Sequence, residues 1–252
     1  MTGRSERLDD PGRADALRTI IASKPALRRW YAEVYGRFAA CIAQAPRDGL
    51  LIELGSGGGF ARDVIPDLIT SDVLPYASVD RIVDATRMPF SDRSVRFMGM
   101  LNVFHHIPDV AAFLREAARV LVPGGRVLIV DQHPGLISTP ILTYAHHEPF
   151  RPHASEWSFE TSGPLSGANG ALAWIVFQRD RERFERLFPS LSLAGYTTHS
   201  PLRYWLAGGL KRWSLLPGWA FTAASVADRV IASVVPQLSS FVDVELVKVE
   251  PE

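Results

Sequence analysis

The stretch Leu50-Leu51-Ile52-Glu53-Leu54-Gly55-Ser56-Gly57-Gly58-Gly59-Phe60 limits the fold more than any other part of the chain. Its first half is an apolar run with a single acid in it, the pattern of a strand covered on both faces of a parallel sheet. Its second half is glycine-rich, so the backbone can enter positive φ and a ligand can approach without meeting a Cβ. Ala61 to Ile65 read as a short helix that stops before Pro66. A strand, a glycine turn and a helix in that order build a nucleotide-type site at the carboxyl end of the strand.

The chain downstream keeps this rhythm. Leu68 to Asp72 reads as a second strand and Val79 to Val83 as a third, with Asp84 at its end. Few residues join them, whereas a parallel crossover usually takes about a dozen or more, so the helix normally found here is expected to be missing. Ser94 to Asn102 is the fourth strand. Val110 to Leu121 is a helix, with Val110, Phe113, Leu114, Ala117 and Leu121 at helical spacing, and Pro123-Gly124-Gly125 closes it. Arg126 to Asp131 is the fifth strand.

Upstream, residues 1–13 read as a frayed tail, followed by helices at Asp15–Ala22 and Pro25–Ala45. The second helix carries an apolar stripe of Trp30, Tyr31, Val34, Tyr35 and Phe38, which reads first as packing against the sheet. Tyr31 and Tyr35 are the members that could cover a ligand. Beyond Gln132 the pattern breaks, and residues 133–170 are rich in Pro, Gly, Ser and His, with a short helix at Leu136–Tyr144. A long irregular stretch in a compact domain usually serves function. Helices at Ala171–Leu187 and Ala220–Val234 and strands at Leu191–Thr198 and Ser240–Val249 complete the chain.

The expected fold is α/β: a Rossmann-like, seven-stranded, mostly parallel sheet with helices on both faces. It divides into an N-terminal helical cover (1–46), a ligand-binding core (47–132) and a C-terminal substrate-binding elaboration carrying the closing strands (133–252).

Composition removes several function classes. The 252 residues carry 27 basic and 27 acidic side chains, a balance that argues against broad nucleic-acid binding. Nearly all the positive charge is arginine, the lysines being Lys24, Lys211 and Lys248. Cys41 is the only cysteine, which excludes an intrachain disulfide or a CxxC metal site. The N-terminus lacks the apolar core of a signal peptide, and no apolar run is long enough to span a bilayer; a cytoplasmic location is the expectation.

Glu53-x-Gly55-x-Gly57-x-Gly59 is not the dinucleotide fingerprint, because Phe60 stands where that pattern needs its third glycine. The glycine loop is accompanied by Asp72 and Asp84 at the ends of the next two strands and Asn102 at the end of the fourth. All would face one crevice outside the carboxyl edge of the sheet. With these residues in view, the chain resembles the class I S-adenosylmethionine-dependent methyltransferases, and more narrowly the bacterial type-11 methyltransferase domain. The resemblance covers roughly residues 50–131. It is carried by residues 53–59, by Asp84-Ala85-Thr86-Arg87-Met88-Pro89-Phe90, by Leu101-Asn102-Val103-Phe104-His105-His106, and by residues 116–125 ending in Pro123-Gly124-Gly125. His146-His147-Glu148-Pro149 and residues 177–181 are similar to a bacterial methyltransferase subgroup found beside surface-glycan genes.

The resemblance implies a cofactor, S-adenosyl-L-methionine, released as S-adenosyl-L-homocysteine. It implies that Gly55, Ser56, Gly57, Gly59 and Phe60 run beneath the methionine and ribose, and that Glu53 orients the loop or meets the amino group. Asp72 would accept from the ribose hydroxyls, Asp84 from the adenine amino group with Ala85 beside the ring. Leu101 and Asn102 would line the methionine end. Asp80 competes with these acids but reads better as a turn former.

The chemistry this implies is in-line displacement at a sulfonium methyl, where the protein mainly positions the nucleophile and excludes water. A base is needed only for an acceptor that carries a proton, and histidine is the natural one. Six of the seven histidines lie between His105 and His153. His105, and His147 with Glu148 as its orienting carboxylate, are the candidate catalytic residues; His106 reads as packing. No metal site is expected, since adjacent residues rarely reach one ion and no H-x-x-x-H pair exists. The expected acceptor is a small molecule or glycan precursor methylated at oxygen, held by the aromatic C-terminal half. Trp157, Trp174, Tyr204, Trp205, Trp213 and Trp219 are there either core or acceptor pocket, and Leu202–Val235 leaves contact with a membrane surface open. The alternatives are a Rossmann-type NAD(P)-dependent oxidoreductase, disfavoured by the glycine spacing, and a non-catalytic module that keeps the cofactor fold.

Overall fold

The computed structural model describes residues 10, 12–163 and 165–250. Most of the expected N-terminal tail therefore lies outside the described residues. The seven expected strands form one sheet: β1 (Leu50–Leu54), β2 (Ile69–Asp72), β3 (Arg81–Ile82), β4 (Val95–Leu101), β5 (Leu121–Gln132), β6 (Leu191–His199) and β7 (Phe241–Lys248). Their order is β3-β2-β1-β4-β5-β7-β6. The first five are parallel, and β7 runs antiparallel to both β5 and β6. Strand order reverses between β1 and β4, which opens a crevice at the carboxyl ends of these two strands.

Two apolar layers flank the sheet. On one face lies α1 (Arg13–Ser23) with α2 (Pro25–Ile42), whose Trp30, Tyr35 and Phe38 are almost fully buried. Phe38 packs edge-on against Phe97 of β4, and Gly99 leaves the room for its ring: a Cβ there would stand 2.6 Å from it. On the other face is α3 (Val110–Val120), which buries Val110, Phe113, Leu114, Ala117 and Val120. Asp109 caps it, its Oδ1 accepting from Ala112 N at 2.8 Å.

Several local expectations need correction. The helix at Ala61–Ile65 is a single tight turn, Ala61–Asp63. The third strand shrinks to Arg81–Ile82, a short exposed edge strand, and residues 73–80 reach it without a helix, as expected. Pro123-Gly124-Gly125 does not follow α3 as a separate stop. The chain turns directly into β5 at Leu121, and the three residues bulge between the pairs Val95–Leu121 and Phe97–Arg126. The helix expected at Leu136–Tyr144 is reduced to Ser138–Pro140 and a wide π turn, Ile141–Ala145. The helix at Ala171–Leu187 breaks at Asp180: Leu172–Trp174 and a π turn (Ile175–Arg179) precede α4, Arg181–Leu187. At that break the Asp180 carboxylate accepts from Trp157 Nε1 at 2.7 Å, a tertiary bond that no local pattern announces. The last helix, α5 (Phe221–Val234), leaves Val226, Val230 and Val234 exposed. Among the described residues, no helix is long and apolar enough to cross a membrane.

Candidate functional site

A cavity of about 610 Å³ opens at the carboxyl edge of the sheet, where β1, β2, β4 and β5 end. Glu53, Gly55, Ser56, Gly57, Gly59, Asp72, Asp84, Ala85, Leu101 and Asn102 all line it, and so do His105, His147 and Glu148. Tyr31 and Tyr35 line it as well, but α1 is the closer cover. A Cβ on Gly58 would stand 2.6 Å from Ala14 O and 2.5 Å from Arg18 N, so the helix backbone rests directly on the glycine loop.

Phe60 departs from expectation. It does not line the cavity but packs against Tyr31 and Tyr35, with the Arg28 guanidinium 5.0 Å above its ring. With only one tight turn after the loop, Phe60 swings back under α2. Gly59 has a second task, since a Cβ there would lie 2.3 Å from the Tyr35 hydroxyl.

The acids differ in how they are held. Asp72 is buried; its Oδ2 accepts from Gly57 N at 3.0 Å and its Oδ1 from Leu74 N at 3.2 Å. Burial pushes its carboxyl up, against these backbone hydrogen bonds. An ionised carboxylate has about four acceptor sites, so Asp72 retains capacity for a ligand hydroxyl. Asp84 is exposed, with Oδ1 accepting from Thr86 N at 2.8 Å and Thr86 Oγ1 at 2.7 Å, so it forms a local turn while facing the cavity. Asp80 is structural, as expected: it accepts from Thr70 N and Oγ1, both at 2.9 Å, and pairs with Arg62 at 2.8 Å. Ser56 ties the loop to β2, its N–H donating to Ser71 O at 2.8 Å.

Two buried acceptors facing the cavity lack a hydrogen-bond partner among the described residues: Glu53 Oε2 and Asn102 Oδ1. Such atoms cost free energy unless something fills them. Burial pushes the Glu53 carboxyl up to about 7, with a smaller contribution from Asp72 and against a hydrogen bond from Ser56. Asn102 adopts φ +56°, a region that asparagine tolerates better than most residues, while its N–H donates to Val130 O at 2.8 Å. Together Glu53 and Asn102 fit a ligand that brings N–H donors, an ammonium in particular.

The structure gathers four histidines around one carboxylate. Glu148 Oε2 lies 3.3 Å from His105 Nε2 and 3.6 Å from His146 Nδ1; Oε1 lies 3.5 Å from His106 Nε2 and 3.4 Å from His147 Nε2. His105 is buried, and its Nδ1 donates to Asp131 Oδ1 at 2.6 Å. Burial lowers its pKa, but the two carboxylates outweigh that and raise it to about 10. Both carboxylates favour positive charge at this ring, and the expected base role at this position conflicts with its surroundings. His106, read from the sequence as packing, lines the cavity instead. The tight turn Phe104–His106 sets the rings of His105 and His106 4.2 Å apart, both facing Glu148. Sequence reasoning missed Asp131 and gave His146 no role of its own. Asp131 ends β5, and the strand-end rule used for Asp72 would have found it.

The C-terminal aromatics divide. Tyr204, Trp205 and Trp213 line the cavity. Trp157 is core, covered by the Arg183 guanidinium at 4.6 Å, Trp174 packs against the same core, and Trp219 is exposed. Trp205 Nε1 is a buried donor without a partner among the described residues. Lys24 Nζ donates to Gly209 O at 2.5 Å and Lys211 O at 3.2 Å, fixing the loop beside these rings.

Residues 52–129 match the family model described as a methyltransferase domain. Among curated proteins the chain is 34% identical over 64 residues to tocopherol O-methyltransferase of Arabidopsis thaliana, covering 25% of this chain and 18% of that protein. It is 43% identical over 56 residues to 27-O-demethylrifamycin SV methyltransferase of Amycolatopsis mediterranei (strain S699), covering 21% of each. The matched stretch thus spans about a fifth of the length of these relatives. Two solved structures share the fold. Geranyl diphosphate C-methyltransferase from Streptomyces coelicolor A3(2) aligns at 16% identity and a TM-score of 0.50, over 91% of this chain and 82% of that one. Phosphoethanolamine N-methyltransferase 2 from Haemonchus contortus aligns at 14% identity and 0.52, over 98% and 59%. With the sheet order and the strand-end acids, this makes residues 52–129 a methyltransferase domain of the class I, S-adenosylmethionine-dependent kind.

Proposed function

We propose that the protein transfers the methyl group of S-adenosyl-L-methionine to an oxygen of a small molecule or glycan precursor. The observation that carries the reading is the pair of unpartnered buried acceptors, Glu53 Oε2 and Asn102 Oδ1, in the same cavity as Asp72 and Asp84. Glu53 and Asn102 take the ammonium end of the cofactor, Asp72 the ribose hydroxyls, and Asp84 with Ala85 the adenine. The relative named tocopherol O-methyltransferase supports oxygen as acceptor over its short matched stretch.

In the reaction, an acceptor oxygen lone pair forms the new bond to the methyl carbon. The carbon–sulfur electrons pass to sulfur, which leaves as the neutral thioether, and the hydroxyl proton must go elsewhere. His147 lines the cavity and faces Glu148 at 3.4 Å, so it is placed to take that proton, whereas both ring nitrogens of His105 face carboxylates. Trp205 Nε1 offers a donor to the acceptor, and Tyr204 and Trp213 offer apolar walls. α1 and α2 exclude water from the loop side.

The test has two stages. Calorimetric titration should show saturable binding of S-adenosyl-L-methionine and none of NAD. Cell extract incubated with methyl-labelled cofactor, read by mass spectrometry, should then yield a labelled small molecule or glycan intermediate. Binding without any label transfer would leave a non-catalytic module; binding of NAD in preference would refute the cofactor assignment.

A further inference from the structure

We infer that His105, His106 and Glu148 form a binding site for a divalent transition-metal ion, opening into the cavity beside the cofactor loop. The ligand-bearing atoms of these three residues lie within 4.8 Å of one another. Two histidines and one carboxylate with the remaining positions open is a donor set suited to Zn2+ or Fe2+.

The spacing is compatible with an ion among these side chains. A charge-assisted N–H···O contact closes to about 2.7–2.9 Å. The four histidine nitrogens stand 3.3, 3.4, 3.5 and 3.6 Å from the Glu148 oxygens. Ligands about 2.0–2.1 Å from a tetrahedral ion lie about 3.3–3.4 Å apart, and the separations from each histidine nitrogen to its nearer Glu148 oxygen are close to that, with the three ligand atoms within 4.8 Å of one another. The contacts between Glu148 and the histidines are long for direct bonds and leave room for a cation among them.

The outer contacts point the same way. A metal-bound histidine almost always gives its other ring N–H to a carboxylate or a backbone carbonyl. His105 Nδ1 donates to Asp131 Oδ1 at 2.6 Å, and His106 Nδ1 donates to Gly167 O at 3.1 Å. Each ring is fixed with Nε2 turned toward Glu148. Asp131 is itself held, accepting from the backbone N–H of His105 at 3.1 Å and of Gln132 at 2.7 Å. His146 Nδ1 accepts from Glu148 N at 3.3 Å, and His146 and His147 both line the cavity. An ion here would hold an acceptor oxygen and lower its pKa. That role rests on the methyltransferase reading; the binding site does not.

The experiment uses untagged protein stripped with a chelator, titrated with Zn2+ by calorimetry and with Co2+ by visible absorption. The expected result is a single saturable site of micromolar affinity or tighter, with Co2+ bands of nitrogen and oxygen ligation. Glu148→Gln and His106→Gln should each weaken it by about a hundredfold, and Asp131→Asn by about ten- to a hundredfold through the orientation of His105. Circular dichroism and cofactor titration on the same samples confirm folding, and Glu148→Gln serves alone should Asp131→Asn unfold. No saturable binding, or binding that Glu148→Gln and His106→Gln leave unchanged, overturns the site. In the parent protein, absence of metal binding with cofactor affinity intact refutes this inference alone; metal binding without cofactor affinity refutes only the cofactor assignment.

Discussion

Glu53 provides the sharpest quantitative test of the cofactor site. Its carboxyl is fully enclosed, and burial moves it from an ordinary value of 4.5 to about 7. The folded chain therefore keeps a proton that the unfolded chain releases. Below about pH 4.5 both states are protonated and Glu53 makes no difference. As pH rises toward 7 the folded state alone holds the proton, and stability falls; above the folded pKa the loss is complete. At about 1.4 kcal/mol per pH unit, the interval amounts to about 3 kcal/mol. Glu53→Gln imitates the protonated carboxyl at every pH. The ligand-free variant should match the parent near pH 4 and exceed it by about 3 kcal/mol near pH 8, or roughly 6–12 °C in melting temperature for a chain of this size. Chemical denaturation of both proteins across that range is the assay. The cofactor should show the opposite trend. Its ammonium pairs with the ionised carboxyl, so parental affinity rises with pH through about 7 while the variant binds weakly throughout. A parent–variant stability difference that stays flat from pH 5 to 8 would refute the assignment of Glu53 as a buried, unpartnered acid awaiting a cation.

Asp72→Asn should weaken S-adenosylmethionine binding by about ten- to a hundredfold in calorimetry, the equivalent of one charge-assisted hydrogen bond; unchanged affinity would sink the ribose assignment. Gly58→Ala should lower the melting temperature and weaken the cofactor, because the new methyl meets the α1 backbone at 2.5–2.6 Å. Gly36→Ala is its control. It lies inside α2 with nothing within 4 Å of the new Cβ, and should be neutral or stabilising by about 0.4–1 kcal/mol.

The readability of this chain followed the range of the forces involved. The seven strands, their approximate limits and the acids at their ends were legible, because a buried parallel strand needs a continuous apolar run and a ligand edge needs polar residues where that run stops. The missing helix between β2 and β3 was legible from chain length alone. Phe60 was misassigned because a motif specifies the order of residues, not the sharp turn that sends this ring to Tyr31 and Tyr35. The helix expected at Ala171–Leu187 failed where Asp180 reaches Trp157, a tertiary bond that overrides local propensity.

The histidines mark the boundary most clearly. By itself the sequence determined that the chain builds a Rossmann-like sheet with a glycine loop and strand-end acids, since each of these is written in a short stretch of chain. It also showed that histidines crowd residues 105–153. Only the tertiary structure decided that His105, His106, His146 and His147 meet at Glu148, with Asp131 behind them. These residues come from the ends of β4 and β5 and from an irregular segment. Their convergence depends on how that segment folds back over the sheet, and no local periodicity encodes such a path.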